Sequence, residues 1–312
     1  MRRLLIPAVA FLALAFAAPA HAQSADPRAG LLVTPRWLNE HLKDANLVLL
    51  HVGPPKGYPV KHIPGARFVE MSDVSAPHDM SKAMKPGERV LEMPTPERLR
   101  EQLAALGISD ASRIIVYVDE EFYSPSTRIL LTLDYAGLGK QSSLMDGGLP
   151  AWTAAGYATT TEVPSARQGT LSPLRLKPLI TTGAWVRDNA TKPGYSLVDG
   201  RASGFYDGVM PGGPETARRS GHIPGAKSIP FTTVWGADGK LLPADALAKL
   251  FRDAGVKAGD TIVGYCHIGQ QATAMLFAAR SLGMSYMLYD GSFEDWAYND
   301  WPIELPKKGG AP

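Results

Sequence analysis

A single cysteine, Cys266, serves all 312 residues. No internal disulfide can form, and the paired thiols of a Cys-x-x-Cys metal or redox site are excluded. The seven histidines are scattered, with no His-x-x-x-His pair, so neither a metal centre nor haem ligation has a basis in the sequence. No glycine-rich phosphate cradle of the nucleotide-binding type occurs, and no cofactor is expected. Beyond the first 18 residues no stretch is long and apolar enough to cross a bilayer. Charge of one sign is missing as well: 32 Lys and Arg stand against 30 Asp and Glu. Such a balance gives no general electrostatic reason to bind nucleic acid or an anionic membrane surface.

What is present begins with a basic start, Met1-Arg2-Arg3, followed by an apolar stretch from Leu4 to Ala18. Ala20-His21-Ala22 then fits a small-x-small cleavage site. Residues 1–22 therefore read as a secretory signal peptide, too short and wrongly flanked for a membrane span. Removing them takes away two arginines and no acid, which leaves a neutral, soluble, exported chain. A bias toward Ala, Arg and Pro points to a bacterial source, and hence to the periplasm. The remaining length exceeds what one core usually serves, so two domains are expected.

Cys266 stands where an apolar run, Thr261 to Tyr265, gives way to His267-Ile268-Gly269-Gln270-Gln271 and then to Ala272–Arg280. The first run reads as a buried strand. The second reads as a helix with Met275, Leu276, Ala279 and Leu282 on one face. A cysteine between a strand and a helix N-terminus meets backbone N–H groups and the positive end of the helix dipole. A thiol so placed ionises more easily than a free one, and the thiolate is the nucleophile. The competing reading is that Cys266 is a small apolar filler; its place at the strand end, before a short polar glycine-containing loop, argues against that.

The chain repeats itself, mostly at an offset of 148 residues. Thr34-Pro35-Arg36-Trp37-Leu38 pairs with Thr182-Gly183-Ala184-Trp185-Val186, and Ile114-Ile115-Val116-Tyr117 with Ile262-Val263-Gly264-Tyr265. The pentapeptide His62–Ala66 recurs as His222–Ala226 at offset 160, which places a 12-residue insertion near 207–218. Asp146-Gly147-Gly148 with Trp152 later matches Asp290-Gly291-Ser292 with Trp296. So long a period is a duplicated domain. Each copy alternates strands and helices: helices near 35–43, 96–106 and 126–136, strands near 47–52 and 113–118. The expected fold is α/β, two tandem domains, each a parallel sheet with helices on both faces. The expected boundaries are 30–158, a Pro-containing linker over 159–178, and 179–306. Ligands of such sheets bind beyond the carboxyl ends of the strands, where both Cys266 and Arg201 fall.

These features resemble the tandem-domain rhodanese family, the thiosulfate and 3-mercaptopyruvate sulfurtransferases. The resemblance rests on the twice-repeated motif complete as Gly221–Ala226, the strand-Cys-loop-helix at Cys266, and the Asp-Gly-x-x-x-x-Trp end of each copy. It implies an inactive first domain and a second carrying the nucleophile, and the 148-offset partner of Cys266 is indeed Val118. It further implies two-step covalent catalysis through a Cys266 persulfide, with loop amides stabilising the sulfur anion. The partners implied are a small anionic sulfur donor and a cyanide or thiol acceptor, with a protein acceptor left open. Arg201 occupies the family's substrate-binding arginine position, and its partner in the first copy is Gly53. Arg218 and Arg219 are further candidate anion contacts. His267 offers a titratable positive charge near the thiolate, and Gln270 and Gln271 offer neutral donors. His62 and His222 are expected to be structural, and Asp199 to orient Arg201.

The loop departs from the family's patterns. It is neither basic, as in members that prefer thiosulfate, nor the Cys-Gly-Ser-Gly-Val-Thr of mercaptopyruvate enzymes. Thiosulfate is favoured as donor, with 3-mercaptopyruvate or a non-turnover persulfide carrier as alternatives. A Cys-x5-Arg phosphatase would need arginine at 272, where the chain has Ala272.

Overall fold

Strand pairing divides the chain into two halves of identical topology. The computed structural model describes residues 26–79, 89–119, 123–165, 167–210 and 219–305. The N-terminal half contains β1 (Leu32–Val33), α1 (Pro35–His41), β2 (Leu47–Val52), β3 (Arg67–Phe68), α2 (Pro96–Ala105), β4 (Arg113–Val118), α3 (Ser124–Tyr135), β5 (Ser142–Met145) and α4 (Gly148–Ala154). The C-terminal half contains β6 (Ile180–Thr181), α5 (Gly183–Asn189), β7 (Tyr195–Asp199), α6 (Ser203–Tyr206), β8 (Lys227–Ser228), α7 (Ala244–Asp253), β9 (Thr261–Tyr265), α8 (Ala272–Ser281), β10 (Tyr286–Tyr289) and α9 (Ser292–Tyr298). Two five-stranded sheets result, ordered β1-β5-β4-β2-β3 and β6-β10-β9-β7-β8. Every strand pair in them is parallel.

The strands are apolar on both sides, as sheets covered on both faces require. Along β4, Ile114 and Val116 face one core with Leu99 and Leu103 of α2. Ile115 and Tyr117 face another, with Leu38 of α1 and Trp152 of α4. Val263 and Tyr265 of β9 repeat the second arrangement against α5 and α9. The first core does not stop at the domain boundary: residues of α3 and α8 join it into one cluster through both halves. Helix starts also repeat. Thr34 caps α1 by accepting the Trp37 amide, and Thr182 caps α5 by accepting that of Trp185.

Helix ends differ from expectation: α1 stops at His41, two residues early. α3 begins two residues early because Pro125 suits a first helical turn. β7 ends at Asp199, and Arg201 lies just beyond it. The segment expected as a linker lies on the N-terminal half, through bonds such as Thr160 to His62 and Lys177 to Tyr135. Among the described residues no helix is long and apolar enough to cross a membrane. Residues 1–22 and 211–218, with Arg218, lie outside the described residues.

Candidate active site

Cys266 follows the last residue of β9 and is fully buried. Its backbone is held on both sides. Its N–H donates to Ser292 Oγ at 3.1 Å, whose hydroxyl donates to Tyr289 O at 2.8 Å. Its carbonyl accepts the Phe293 amide at 3.0 Å. The loop then turns through His267–Gln271 into α8, whose first amides, Thr273 and Ala274, bond back to Gln270 and Gln271. Among the described residues, no backbone carbonyl accepts the amides of Ile268 to Ala272. A set of free N–H groups where a helix begins is suited to an anion.

Arg201 is also fully buried. Its backbone N–H and Nε bond Asp199 Oδ1 at 2.9 and 3.0 Å, Nη2 bonds Asp199 Oδ2 at 2.6 Å, and Nη2 also reaches Gly221 O at 2.7 Å. The guanidinium lies 3.9 Å from the centre of the Phe293 ring, a cation–π contact. Burial opposes its charge, but Asp199 first, then Tyr265 and Cys266, outweigh that and raise its pKa. Asp199 thus orients Arg201. Nη1 alone is buried without a partner among the described residues.

The other expected contacts fall out differently. His267 does not supply positive charge: burial, and then Arg201, lower its pKa to about 4, so at neutral pH the imidazole is uncharged. Its ring packs edge-on against Phe205 at 4.5 Å, and Nδ1 is buried without a partner among the described residues. Gln270 Nε2 donates to Ser124 Oγ of the other half at 3.1 Å. Gln271 Oε1 is buried without a partner among the described residues. Gly269 lends its carbonyl to Arg128 of the N-terminal half at 2.9 Å, and Ile268 is half-buried between them. Arg219 pairs with Asp300 at 3.2 Å, and no described contact ties it to the loop.

His62 and His222 serve structure. Each stacks on a tyrosine, Tyr58 at 4.1 Å and Tyr206 at 3.8 Å. Each ring also meets the carbonyl of that tyrosine. The amides of Ile63 and Ile223 donate to Tyr117 and Tyr265. Tyr58 and Tyr206 keep the 148 offset while the histidines do not, so the insertion begins after Tyr206.

Ser292 was not singled out from the sequence, though the repeat carried the signal. Its counterpart Gly148 has φ +58°, a left-handed conformation that favours glycine, and Ser292 keeps that conformation at φ +55°. Where the first copy has glycine, Ser292 adds a hydroxyl that accepts the Cys266 amide. In the N-terminal half the equivalent site has Val118 for Cys266, Gly53 for Arg201 and His51 for Asp199. A cavity of about 260 Å³ remains there, lined by Val52, Gly53, Val69, Met71, Val118 and Pro125. Among the described residues no cluster of three or more His, Cys, Asp or Glu could hold a metal.

The rhodanese-like domain matches residues 34–155 and again 182–299. A mitochondrial thiosulfate/3-mercaptopyruvate sulfurtransferase 1 of Arabidopsis thaliana is 30% identical, covering 88% of this chain and 78% of the plant protein. A probable 3-mercaptopyruvate sulfurtransferase of Pseudomonas aeruginosa is 34% identical over 77% of this chain and 82% of its own. The sulfur carrier protein TtuD of Thermus thermophilus is 30% identical over 85% and 93%. Among solved structures, YnjE matches in fold with a TM-score of 0.75 at 22% identity, covering 91% of this chain and 70% of that one. Two copies of one domain, a lone cysteine between strand and helix in the second, and relatives spanning most of both chains lead to one assignment: the chain belongs to the tandem-domain rhodanese family of sulfurtransferases.

Proposed function

We propose that the protein moves a sulfur atom from a small anionic donor to a thiol or cyanide through a persulfide on Cys266. The observation that carries the reading is the pairing of Cys266, before a loop of unengaged amides, with Arg201, whose buried Nη1 has no partner among the described residues. The Cys266 thiolate attacks the donor's transferable sulfur. An S–S bond forms on Cys266 while the bond from that sulfur to the rest of the donor breaks. Thiosulfate would leave as sulfite, and 3-mercaptopyruvate as the enolate of pyruvate, which takes up a proton. Cyanide or a thiolate then attacks the outer sulfur and returns the Cys266 thiolate. Loop amides and the start of α8 stabilise the anionic sulfur in both states.

The charge inventory bears on the donor. Arg201 is already balanced by Asp199, and His267 is neutral above about pH 4. The positive field that favoured doubly charged thiosulfate is thereby reduced, and a singly charged donor such as 3-mercaptopyruvate gains weight. A groove of about 550 Å³ lies between the halves, lined by Tyr123, Phe231, Trp235 and Gly239 among others. Tyr123 adjoins Ser124, on which Gln270 rests. The basic and apolar start of the chain supports export to the periplasm.

The test is intact mass after incubation with each donor separately, followed by cyanide. A gain of about 32 Da, reversed by cyanide, would identify both the persulfide and its donor, and Cys266→Ser would lose it while remaining folded. Activity retained by Cys266→Ser would overturn the mechanism. A persulfide that forms only from a protein donor would select the carrier role that the similarity to TtuD supports.

A further inference from the structure

The N-terminal half has no cysteine, yet one of its side chains holds the loop that follows the cysteine of the other half. Arg128, in α3, is fully buried. Its Nη1 donates to Gly269 O at 2.9 Å and to Asp290 Oδ1 at 2.5 Å, and its Nη2 donates to the Leu91 carbonyl. Asp290 Oδ2 in turn accepts the Met93 amide at 2.8 Å. Two residues on is Ser292, the acceptor of the Cys266 N–H. One guanidinium therefore joins the 91–93 segment, the Cys266 loop and the 290–292 corner. The loop passes this junction with no room to spare. Gly269 has φ +76°, and a Cβ there would meet Asp290 O at 2.5 Å and Arg128 Nη1 at 3.1 Å.

The duplication shows that this junction is one-sided. The corner carboxylates are reciprocal: Asp146 Oδ1 accepts the Leu241 amide at 2.9 Å, as Asp290 accepts that of Met93, and Leu241 and Met93 are 148 residues apart. The 148-offset counterpart of Arg128 is Leu276, an apolar residue buried in α8. The cation occurs only where it can reach the cysteine-bearing loop. Stability alone is a weak reason for it, because apolar replacements of buried ion pairs are often as stable.

We infer that Arg128 is a positioning residue for sulfur transfer, supplied by the half that has no cysteine. By binding the Gly269 carbonyl it fixes the plane of the Gly269–Gln270 peptide. A trans peptide directs its C=O and N–H to opposite sides, so the Gln270 N–H faces away from the guanidinium. Gln270 Nε2 on Ser124 Oγ anchors the same turn to α3. The loop amides are thereby set in place before the donor arrives. This inference rests on the reading of Cys266 as the persulfide-forming nucleophile.

The test compares wild type with Arg128→Met, Arg128→Lys and Leu103→Ala, the last opening a cavity in the N-terminal core away from the loop. Steady-state kinetics, Tm and hydrogen exchange of the 266–274 segment, whose Cys266, Thr273 and Ala274 amides are hydrogen-bonded, are measured for each. Arg128→Met is expected to lower kcat by about 100-fold, the scale of an ångström-sized misplacement, with KM little changed and faster exchange in the loop. Arg128→Lys, which keeps the charge and loses the planar fork, should fall between; it carries the comparison if Arg128→Met does not fold. Leu103→Ala should lower Tm yet keep kcat well below its melting point. Unchanged kcat in folded Arg128 variants, or an equal loss in Leu103→Ala, would overturn the inference. If wild type itself forms no persulfide, the transfer reading fails instead. Loop exchange then decides the role of Arg128, and unaltered exchange would refute it.

Discussion

At the scale of single residues, Ser292 shows what the site demands of the backbone. A left-handed conformation costs a residue with a side chain about 1–2 kcal/mol, and here it is held by the bonds from Cys266 N and to Tyr289 O. Ser292→Ala would keep the strain and leave the Cys266 N–H buried without a partner, a cost of about 1–3 kcal/mol. It should lower both Tm and the rate of persulfide formation. Ser292→Gly should recover part of the Tm and none of the rate, since it relieves strain without restoring the acceptor. Equal rates in the two variants and wild type would show that the hydroxyl is dispensable. His267 gives a prediction in pH. With its folded pKa near 4, the imidazole does not titrate between about pH 5 and 8, so His267→Gln should leave the shape of the pH–rate profile over that range unchanged. His51 is lowered to about 4 as well, by burial and then by His62. Between that value and the ordinary 6.5 the unfolded chain binds more protons than the folded one at both residues. Their contribution to stability is therefore lost as pH falls through that window. Cys266 was legible because it is the sole thiol and sits between two readable elements. The neutrality of His267 was not, because it follows from burial under neighbours that are distant in sequence.

At the scale of elements, local pattern was a good guide wherever a hydrophobic period ran into a capping residue. β2, β4 and β9 begin and end where their apolar runs do, and the two threonine caps repeat with the duplication. Thr182→Ala should cost about 1 kcal/mol, read as a lower Tm with kcat unaffected. Element ends were less legible: α3 gains its first turn from Pro125, and α1 stops at His41. β7 stops at Asp199 because Asp199 and Arg201 turn toward each other. In α9 the first turn holds Glu294, whose pKa burial pushes up to about 7, against the preference of a helix N-terminus for the charged form. Here desolvation is the stronger effect. The folded state holds this proton more tightly than the unfolded one, so the associated stability is present below about pH 4.5 and lost as pH rises through 7. Glu294→Gln should therefore raise Tm at pH 8 and leave it little changed at pH 5, by about 2–4 °C for each kcal/mol recovered. A Tm gain that is the same at both pH values would assign the effect to packing.

At the scale of the molecule, the duplication was visible in the sequence and the joining of its copies was not. Interface residues such as Ser124, Thr127, Arg128, Asp134, Thr273 and Arg280 carry no pattern that distinguishes them from ordinary helix residues. They meet across the boundary: Thr127 and Thr273 hydroxyls lie 2.8 Å apart, and Arg280 donates to Gly139 O at 2.7 Å. With one apolar cluster running through both halves, heating should give a single cooperative transition in calorimetry. Two resolved transitions would mean that the halves are independent. The reciprocal bonds of Asp146 and Asp290 carry a further consequence. They relate the halves as an isologous contact relates two subunits, each offering the other the same carboxylate and the same amide. The N-terminal half prepared alone would expose the α3 face and leave both Asp146 and the Met93 amide without partners. A second copy of that half could satisfy both at once, so the isolated half should sediment as a homodimer.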